Sequence, residues 1–335
     1  MNEIYMARCL ELARLGHSHV APNPMVGCVI VHEGKIIGEG CHQKFGEAHA
    51  EVNAIESVAD PNLLSSSTLY VSLEPCTHVG KTPACTDLIV KSQIPNVIIG
   101  ALDPNDQVSG NGAKYLQESN CKVEVGILEK ECLAINKRFF TFHGEKRPYV
   151  ILKWAQSKDG FMAPLAREQR WITGEESKRL VHKWRTEEQA ILVGTNTAIV
   201  DNPKLTARLW EGPNPIRISI DNSGKIPAEA NLFDGKAKTL LYGSSSNGGA
   251  SQAETVALKE GPDQLRSLLA DLYKRDIISI IVEGGSTLLK SFIDQRIWDE
   301  ARVFTGPENF GDGLSSPDLK VDYTDTEAIG SDKLR

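Results

Sequence analysis

"GEAHAEVNAI" (residues 46–55) and "EPCTHVGKTPAC" (residues 74–85) decide how the first half of this chain is read. The first stretch puts His49 two residues before Glu51, in what reads as the opening turn of a helix beginning near Ala48. The second follows a predicted strand and sets Cys76 and Cys85 beside a predicted helix start, where thiolate is favoured over thiol. One imidazole and two thiolates fill three corners of a zinc tetrahedron and leave the fourth for water. An open corner implies catalysis, because zinc lowers the pKa of its water to about 7. Glu51 is badly placed as a further ligand and well placed to carry a proton from that water to a leaving group. Eight residues separate the two cysteines, so spacing alone also leaves open a structural zinc or two buried thiols.

Working outward, 335 residues are enough for two domains with separate cores. The net charge of −7 and the lack of any long Lys/Arg run argue against a nucleic-acid partner, while a small anionic ligand held by a few cations is compatible with both. The first residues are amphipathic, with Met6, Cys9, Leu10 and Ala13 on one face and Gly16 as the expected C-cap, and nothing reaches the roughly 18 apolar residues of a membrane span. A cytoplasmic protein is expected. Seven cysteines without secretory features read as metal ligands plus core thiols, the latter being Cys9, Cys28, Cys41, Cys121 and Cys132.

From residue 1 to about 143, helical and strand patterns alternate: "MVGCVIV" (25–31), a "HEGK" turn, "IIGEGCH", a helix, "TLYVSL", a short helix after Cys85, "NVIIGALDPN", a helix near 111–119, and "CKVEVGIL". The pattern restarts at Pro148 with "YVILKWA", so the boundary falls near 145, dividing the chain into 1–145 and 146–335. The second part alternates again through helices near 174–186 and 262–275. Two three-layer α/β/α domains are expected. "GSSSNGGASQ" (243–252) reads as a surface loop, and the acidic end "KVDYTDTEAIGSDKLR" as a loose tail or a short edge strand. In the second part no G-x-G-x-x-G occurs; instead "IIVEGGSTLL" runs strand, two glycines, helix, which suits a phosphate group at a helix start or a plain tight turn.

H-x-E together with P-C and a later Cys is the arrangement of zinc-dependent nucleobase deaminases. "APNPMVGCVIV", "GEAHAE" and "EPCTHVGKTPAC" together resemble the deaminase half of the bifunctional riboflavin-biosynthesis deaminase/reductase family, whose own variant has the longer Cys-to-Cys loop. The resemblance implies a cytidine-deaminase-like domain that removes an amino group hydrolytically from a diaminopyrimidinone bearing a ribosylamino 5-phosphate. It assigns His49, Cys76 and Cys85 to zinc and Glu51 to proton transfer, and Asn23, His42, His78 and Lys81 to substrate. "LKWAQSKDG", "WITGEES", "HKWR" and "VGTNTAIVDNPKLTAR" likewise resemble the reductase half, which has a dihydrofolate-reductase-like fold and uses NADPH to open the ribose to a ribityl chain. By position, Gln169, Lys153, Arg185, Leu205, Arg208 and Glu283 are expected at the substrate, and Gln156, Trp171, Thr197, Asp201, Ser223 and the turn from Gly285 at the cofactor. Where Gln169 stands, the family has a small hydroxyl residue. Lys153, Asp201 and Glu283 are candidates for the proton that accompanies hydride. Nothing local pairs Arg185 or Arg208, so two unpaired guanidinium groups are expected at a phosphate. A homo-oligomer is expected. The rival readings are a nucleoside or tRNA deaminase with a degenerate second domain, and a zinc-stabilised binding module, which would need a fourth protein ligand.

Overall fold

The computed structural model describes residues 2–77, 84–104, 109–164, 171–243 and 252–335. These form two compact units, Met1–Lys146 and Arg147–Arg335.

In chain order the first unit consists of α1 (Asn2–Ala13), β1 (Gly27–His32), β2 (Lys35–Cys41), α2 (Ala50–Glu56), β3 (Thr68–Leu73), α3 (Cys85–Lys91), β4 (Asn96–Ala101), α4 (Asn111–Glu118), β5 (Lys122–Val125), α5 (Glu129–Ile135) and α6 (Lys137–Glu145). Among the described residues its sheet runs β2-β1-β3-β4-β5. Strands β3, β4 and β5 are parallel, and β1 is antiparallel to both its neighbours. Successive strand side chains point to opposite faces, and each face is apolar. Cys28, Ile30, Leu69, Val71, Val97 and Ile99 meet Ala50 and Ala54 of α2, Ile89 of α3 and Leu116 of α4. On the other side Val29, Val31, Tyr70 and Ile98 meet Met6 and Cys9 of α1, Cys132 of α5 and Phe139 of α6. Helices on both faces make three layers. α5 and α6 occupy residues for which the sequence pattern predicted no helix. At 7 and 9 residues, burying only Cys132 in one and Phe139 and Phe142 in the other, they are too short for a 3.6-residue period to stand out.

The second unit comprises β6 (Tyr149–Gln156), β7 (Phe161–Pro164), α7 (Glu175–Glu187), β8 (Ala190–Gly194), α8 (Thr195–Val200), β9 (Ile216–Ile220), β10 (Thr239–Gly243), β11 (Glu254–Ala257), α9 (Gln264–Lys274), β12 (Ser279–Val282), α10 (Ser286–Gln295), β13 (Glu300–Thr305), β14 (Gly313–Ser315), β15 (Glu327–Ile329) and β16 (Asp332–Leu334). Its main sheet runs β11-β10-β9-β8-β12-β6-β13-β16-β15, parallel from β11 to β13 and antiparallel at β16 and β15. Val150, Leu152 and Trp154 of β6 face Leu268 and Leu272 of α9 and Leu289 and Phe292 of α10. Tyr149 and Ile151 face Val181 and Trp184 of α7. Phe292 is fully buried, so its truncation to alanine should cost about 3–5 kcal/mol. The acidic end of the chain forms the edge hairpin β15–β16 rather than a loose tail, and it is anchored. Asp332 accepts hydrogen bonds from Gly174 N (2.8 Å) and Ser177 Oγ (2.6 Å), satisfying the first turn of α7 from another strand. Of the Gly/Ser-rich loop, residues 244–251 lie outside the described residues.

Candidate active sites

In the first unit α2 is held against β2 at close range. A Cβ on Gly40 would overlap Ala54 N and Ala50 O, and Asn53 Nδ2 donates to Cys41 O at 2.8 Å. The helix begins at Ala50, so His49 is its N-cap, with extended backbone, rather than a residue of the first turn. That frees the imidazole to face the start of α3. His49 Nδ1 lies 3.3 Å from Cys85 Sγ and 3.6 Å from Cys76 Sγ, and the three donor atoms all fall within 4.8 Å of one another. No fourth side chain joins them among the described residues. Cys76 Sγ accepts the Cys85 backbone N–H at 3.4 Å. Hydrogen bonding from the Cys85 thiol, with help from His49, pulls Cys76 down to about 4. The hydrogen bond to that thiolate, burial and the nearby Glu51 push Cys85 the other way. Two adjacent thiols that cannot both ionise alone do so around a divalent cation, so the donor set fits zinc.

Glu51 is 4 % exposed and stays outside the donor group. Burial, then the Cys76 charge, pushes its carboxyl up to about 7, the range in which a group both takes and gives protons at neutral pH. His42 is buried and lowered, first by burial. Its Nδ1 donates to Ala48 O (3.0 Å) and its Nε2 accepts from Asn23 Nδ2 (3.1 Å), and the Asn23 amide oxygen has no hydrogen-bond partner among the described residues. The His42 and His49 rings meet edge to face at 5.4 Å. His78 and Lys81 lie outside the described residues. Two residues that no sequence signal singled out shape this site. Buried Glu74 accepts from Asp103 N, Gly110 N and Ala113 N at 3.1, 2.9 and 3.0 Å, tying the chain just before Cys76 to the start of α4. Asn136 grips Met25 through both its backbone groups at 2.8 and 2.9 Å, fixing the segment that carries Asn23.

In the second unit the expected residues gather at the carboxyl ends of neighbouring parallel strands, where open α/β sheets bind ligands. Gln156 ends β6, Ser223 follows β9, Thr197 follows β8, and Glu283 and Gly285 follow β12. Glu283 takes a bidentate pair from Arg185, Nε–Oε1 at 2.9 Å and Nη2–Oε2 at 2.7 Å, with Lys153 Nζ 3.9 Å from Oε2. Arg185 Nη1 also donates to Thr206 O at 3.2 Å. The expectation of two unpaired arginines is therefore corrected. Arg185 is paired with a carboxylate 98 residues away, beyond the reach of any local reading, whereas Arg208 is exposed and forms no ion pair among the described residues. Burial would raise Glu283, but the Arg185 and Lys153 charges reverse this and hold it down to about 2. Burial lowers Lys153.

Leu205 is buried and takes a left-handed φ of +51°, turning the chain between Asp201 and Arg208. Gly285 has φ +78°, and a Cβ on Gly284 would press on Thr197 Cγ2 at 2.9 Å. Bare backbone at the start of α10 beside Thr197 is a cradle suited to a cofactor phosphate, so the residues fit a nucleotide. Ser223 Oγ donates to Asp221 Oδ1 at 3.3 Å, and Gln156 Oε1 accepts from Trp154 Nε1 at 3.0 Å. Trp171 is 64 % exposed with Lys178 Nζ 4.3 Å over its ring. Asp201, raised by burial, makes no hydrogen bond or ion pair with the Lys153–Glu283–Arg185 group among the described residues. Gln169 lies outside the described residues. His182 had no assigned role. It sits one turn before Arg185 on α7, its only sequence trace being the "HKWR" spacing.

Known proteins agree with both halves. The family model for the cytidine and deoxycytidylate deaminase zinc-binding region matches residues 1–101, and that for the RibD C-terminal domain matches residues 148–333. Riboflavin biosynthesis protein RibD of Aquifex aeolicus is 40% identical over 323 residues, covering 95% of this chain and 90% of that protein. RibD of Escherichia coli is 35% identical, covering 92% and 89%. The crystal structure of a diaminohydroxyphosphoribosylaminopyrimidine deaminase/5-amino-6-(5-phosphoribosylamino)uracil reductase from Thermotoga maritima superposes with a TM-score of 0.90 at 39% identity, covering 99% of this chain and 97% of that one. A chain with a zinc-fitting His–Cys–Cys group in one unit, a reductase-type site in the other and matches across both belongs to the RibD family of bifunctional riboflavin-biosynthesis enzymes.

Proposed function

We propose that this deaminase/reductase acts on 2,5-diamino-6-(5-phosphoribosylamino)pyrimidin-4-one, deaminating it in the first unit and reducing the product's ribosyl group in the second to give 5-amino-6-(5-phosphoribitylamino)uracil. The observation that carries the reading is the convergence of His49, Cys76 and Cys85 with buried Glu51 beside them, in a chain whose other unit matches the RibD C-terminal domain. His49, Cys76 and Cys85 would hold zinc, which would supply the Lewis acidity that makes a water nucleophilic near neutral pH. Glu51 takes a proton from that water and returns it to the departing amino group, which leaves as ammonia. Asn23, set by His42, reads the pyrimidine edge with its free amide oxygen, and His78 and Lys81 complete the substrate contacts.

In the second unit a bound NADPH would supply the hydride that C1′ of the ribose needs. Gln156, Trp171, Thr197, Asp201, Ser223 and the turn from Gly285 hold the cofactor. Gln169, Lys153, Arg185, Leu205, Arg208 and Glu283 hold the substrate, with Arg208 taking its phosphate. As hydride adds, the C1′–O4′ bond breaks and O4′ must gain a proton. Of the three candidates, Glu283 is ionised and paired with Arg185 and so has no proton to give. Lys153, which burial makes a stronger acid than a free lysine, stands 3.9 Å from Glu283, whereas Asp201 has no hydrogen bond or ion pair with that group among the described residues, and we assign Lys153 as the donor. The reading extends to a homo-oligomer in the cytoplasm with no nucleic-acid partner, supported by the net charge of −7. No described helix is long and apolar enough to cross a membrane.

Purified protein incubated with the diaminopyrimidinone ribosyl phosphate should release ammonia without NADPH, and should oxidise NADPH only once deaminated product is present. Oxidation of NADPH with no prior ammonia release would overturn the order of steps. Release of ammonia from cytidine but not from this substrate would overturn the substrate.

A further inference from the structure

His182 lies on α7 and is 4 % exposed, and its Nδ1 has no hydrogen-bond partner among the described residues. The charges that act on it are those of Arg185 on its own helix, Arg208 on the segment after α8 and Glu283 at the end of β12, with Lys153 of β6 3.9 Å from Glu283. The nearby Thr206 carbonyl receives Arg185 Nη1. That leaves Nδ1 a buried ring nitrogen without a partner among the described residues, one turn from the Arg185 guanidinium. An unpaired buried polar atom costs free energy that a purely structural residue would avoid. Counting Arg185, Arg208, Lys153 and Glu283, the neighbourhood carries three positive charges against one negative. It therefore favours an anion.

We infer that His182 is a further phosphate-binding residue of the reductase site, its ring taking up one proton as the substrate's phosphate dianion seats at Arg208 and its Nδ1 then donating a hydrogen bond to that dianion. The inference rests on the proposed placement of that phosphate at Arg208. Without ligand, burial and then the Arg185 and Arg208 charges hold the ring down to about 4, from an ordinary 6.5, so it is neutral at working pH. A dianion cancels the guanidinium repulsion and reverses that balance. The proton comes from solvent, so one proton enters the complex for each phosphate bound.

Ribose 5-phosphate is the probe, and tryptophan fluorescence of the full chain is the signal, because Trp154, Trp171, Trp184, Trp210 and Trp298 all lie in the second unit. Above the second phosphate pKa of about 6, wild-type affinity should fall with rising pH, approaching about tenfold per pH unit for one coupled proton. His182→Gln, which keeps hydrogen-bonding groups but cannot titrate, should bind with a flat pH profile. His182→Phe should weaken binding about tenfold or more and leave NADPH affinity unchanged. A flat wild-type profile, or His182→Phe binding as wild type, overturns the inference. So does His182→Phe losing ribose 5-phosphate and NADPH in parallel, which would mark the ring as packing only. Arg208→Gln separates the two levels. If it leaves ribose 5-phosphate affinity intact, the phosphate seat is elsewhere and the functional placement fails. If it weakens binding while the His182 variants do not, only the role of His182 fails.

Discussion

Glu283→Gln tests the charge arrangement of the reductase site. The carboxylate is paired with Arg185 at 2.7 Å and faces Lys153 at 3.9 Å, and its side chain is 6% exposed, so solvent screening discounts little. It is held down to about 2 from an ordinary value of 4.5, and at about 1.4 kcal/mol per pH unit that difference is worth about 3 kcal/mol at neutral pH. The cost of leaving a buried cation without its partner is of the same order, about 3–5 kcal/mol. Because the folded-state pKa is depressed, the stabilisation is complete above about 4.5 and is lost as pH falls towards 2. By pH 3 about 1.4 kcal/mol should remain. Urea unfolding of the full chain followed by tryptophan fluorescence reads this unit alone, since every tryptophan lies within it. The variant should be about 3 kcal/mol less stable at pH 7, with the gap closing on acidification. Equal stabilities at pH 7, or a gap independent of pH, would refute the assignment of Glu283 as the counter-ion of Arg185 and Lys153.

Glu51→Gln should retain about one zinc per chain and lose at least about 10²-fold in deamination, yet still reduce chemically supplied deaminated substrate. A parallel loss of both reactions in a folded variant would argue against separate sites. Stripping zinc with a chelator should abolish ammonia release and spare NADPH oxidation on the deaminated substrate. Arg208→Lys keeps the charge but loses the planar fork, so the KM for the ribosyl phosphate should rise about tenfold while NADPH binding stays nearly unchanged; the reverse pattern would assign the arginine to the cofactor. Asp332→Ala removes the acceptor for Gly174 N and Ser177 Oγ. It should cost about 1–2 kcal/mol by loosening the start of α7, measurable in the same urea experiment, and an unchanged midpoint would show the contact to be dispensable.

Some features of this protein are legible in one dimension because they depend on residue type and short spacing. Only a few side chains ligate zinc, so His49, Cys76 and Cys85 stand out by chemical type together with their place in "GEAHAE" and "EPCTHVGKTPAC", and the alternation of apolar runs with helical stretches announces one α/β unit on either side of Pro148. The "HEGK" turn and the helix near residue 111 need only local propensity. Other features depend on which distant segments the folded sheets bring together, and those have no local signature. His49 proves to be a helix N-cap, and Gly40 lets α2 settle on β2 at a distance that only a missing Cβ allows. Arg185 finds its carboxylate 98 residues on, at the end of a neighbouring strand. The chain's end becomes an edge hairpin whose Asp332 completes α7, the helix that carries both Arg185 and His182. Charge pairing, burial and an unmet hydrogen bond belong to three-dimensional neighbourhoods, so tertiary structure alone turns a set of candidate cations into one paired arginine, one exposed arginine and a buried histidine that feels the charge of both.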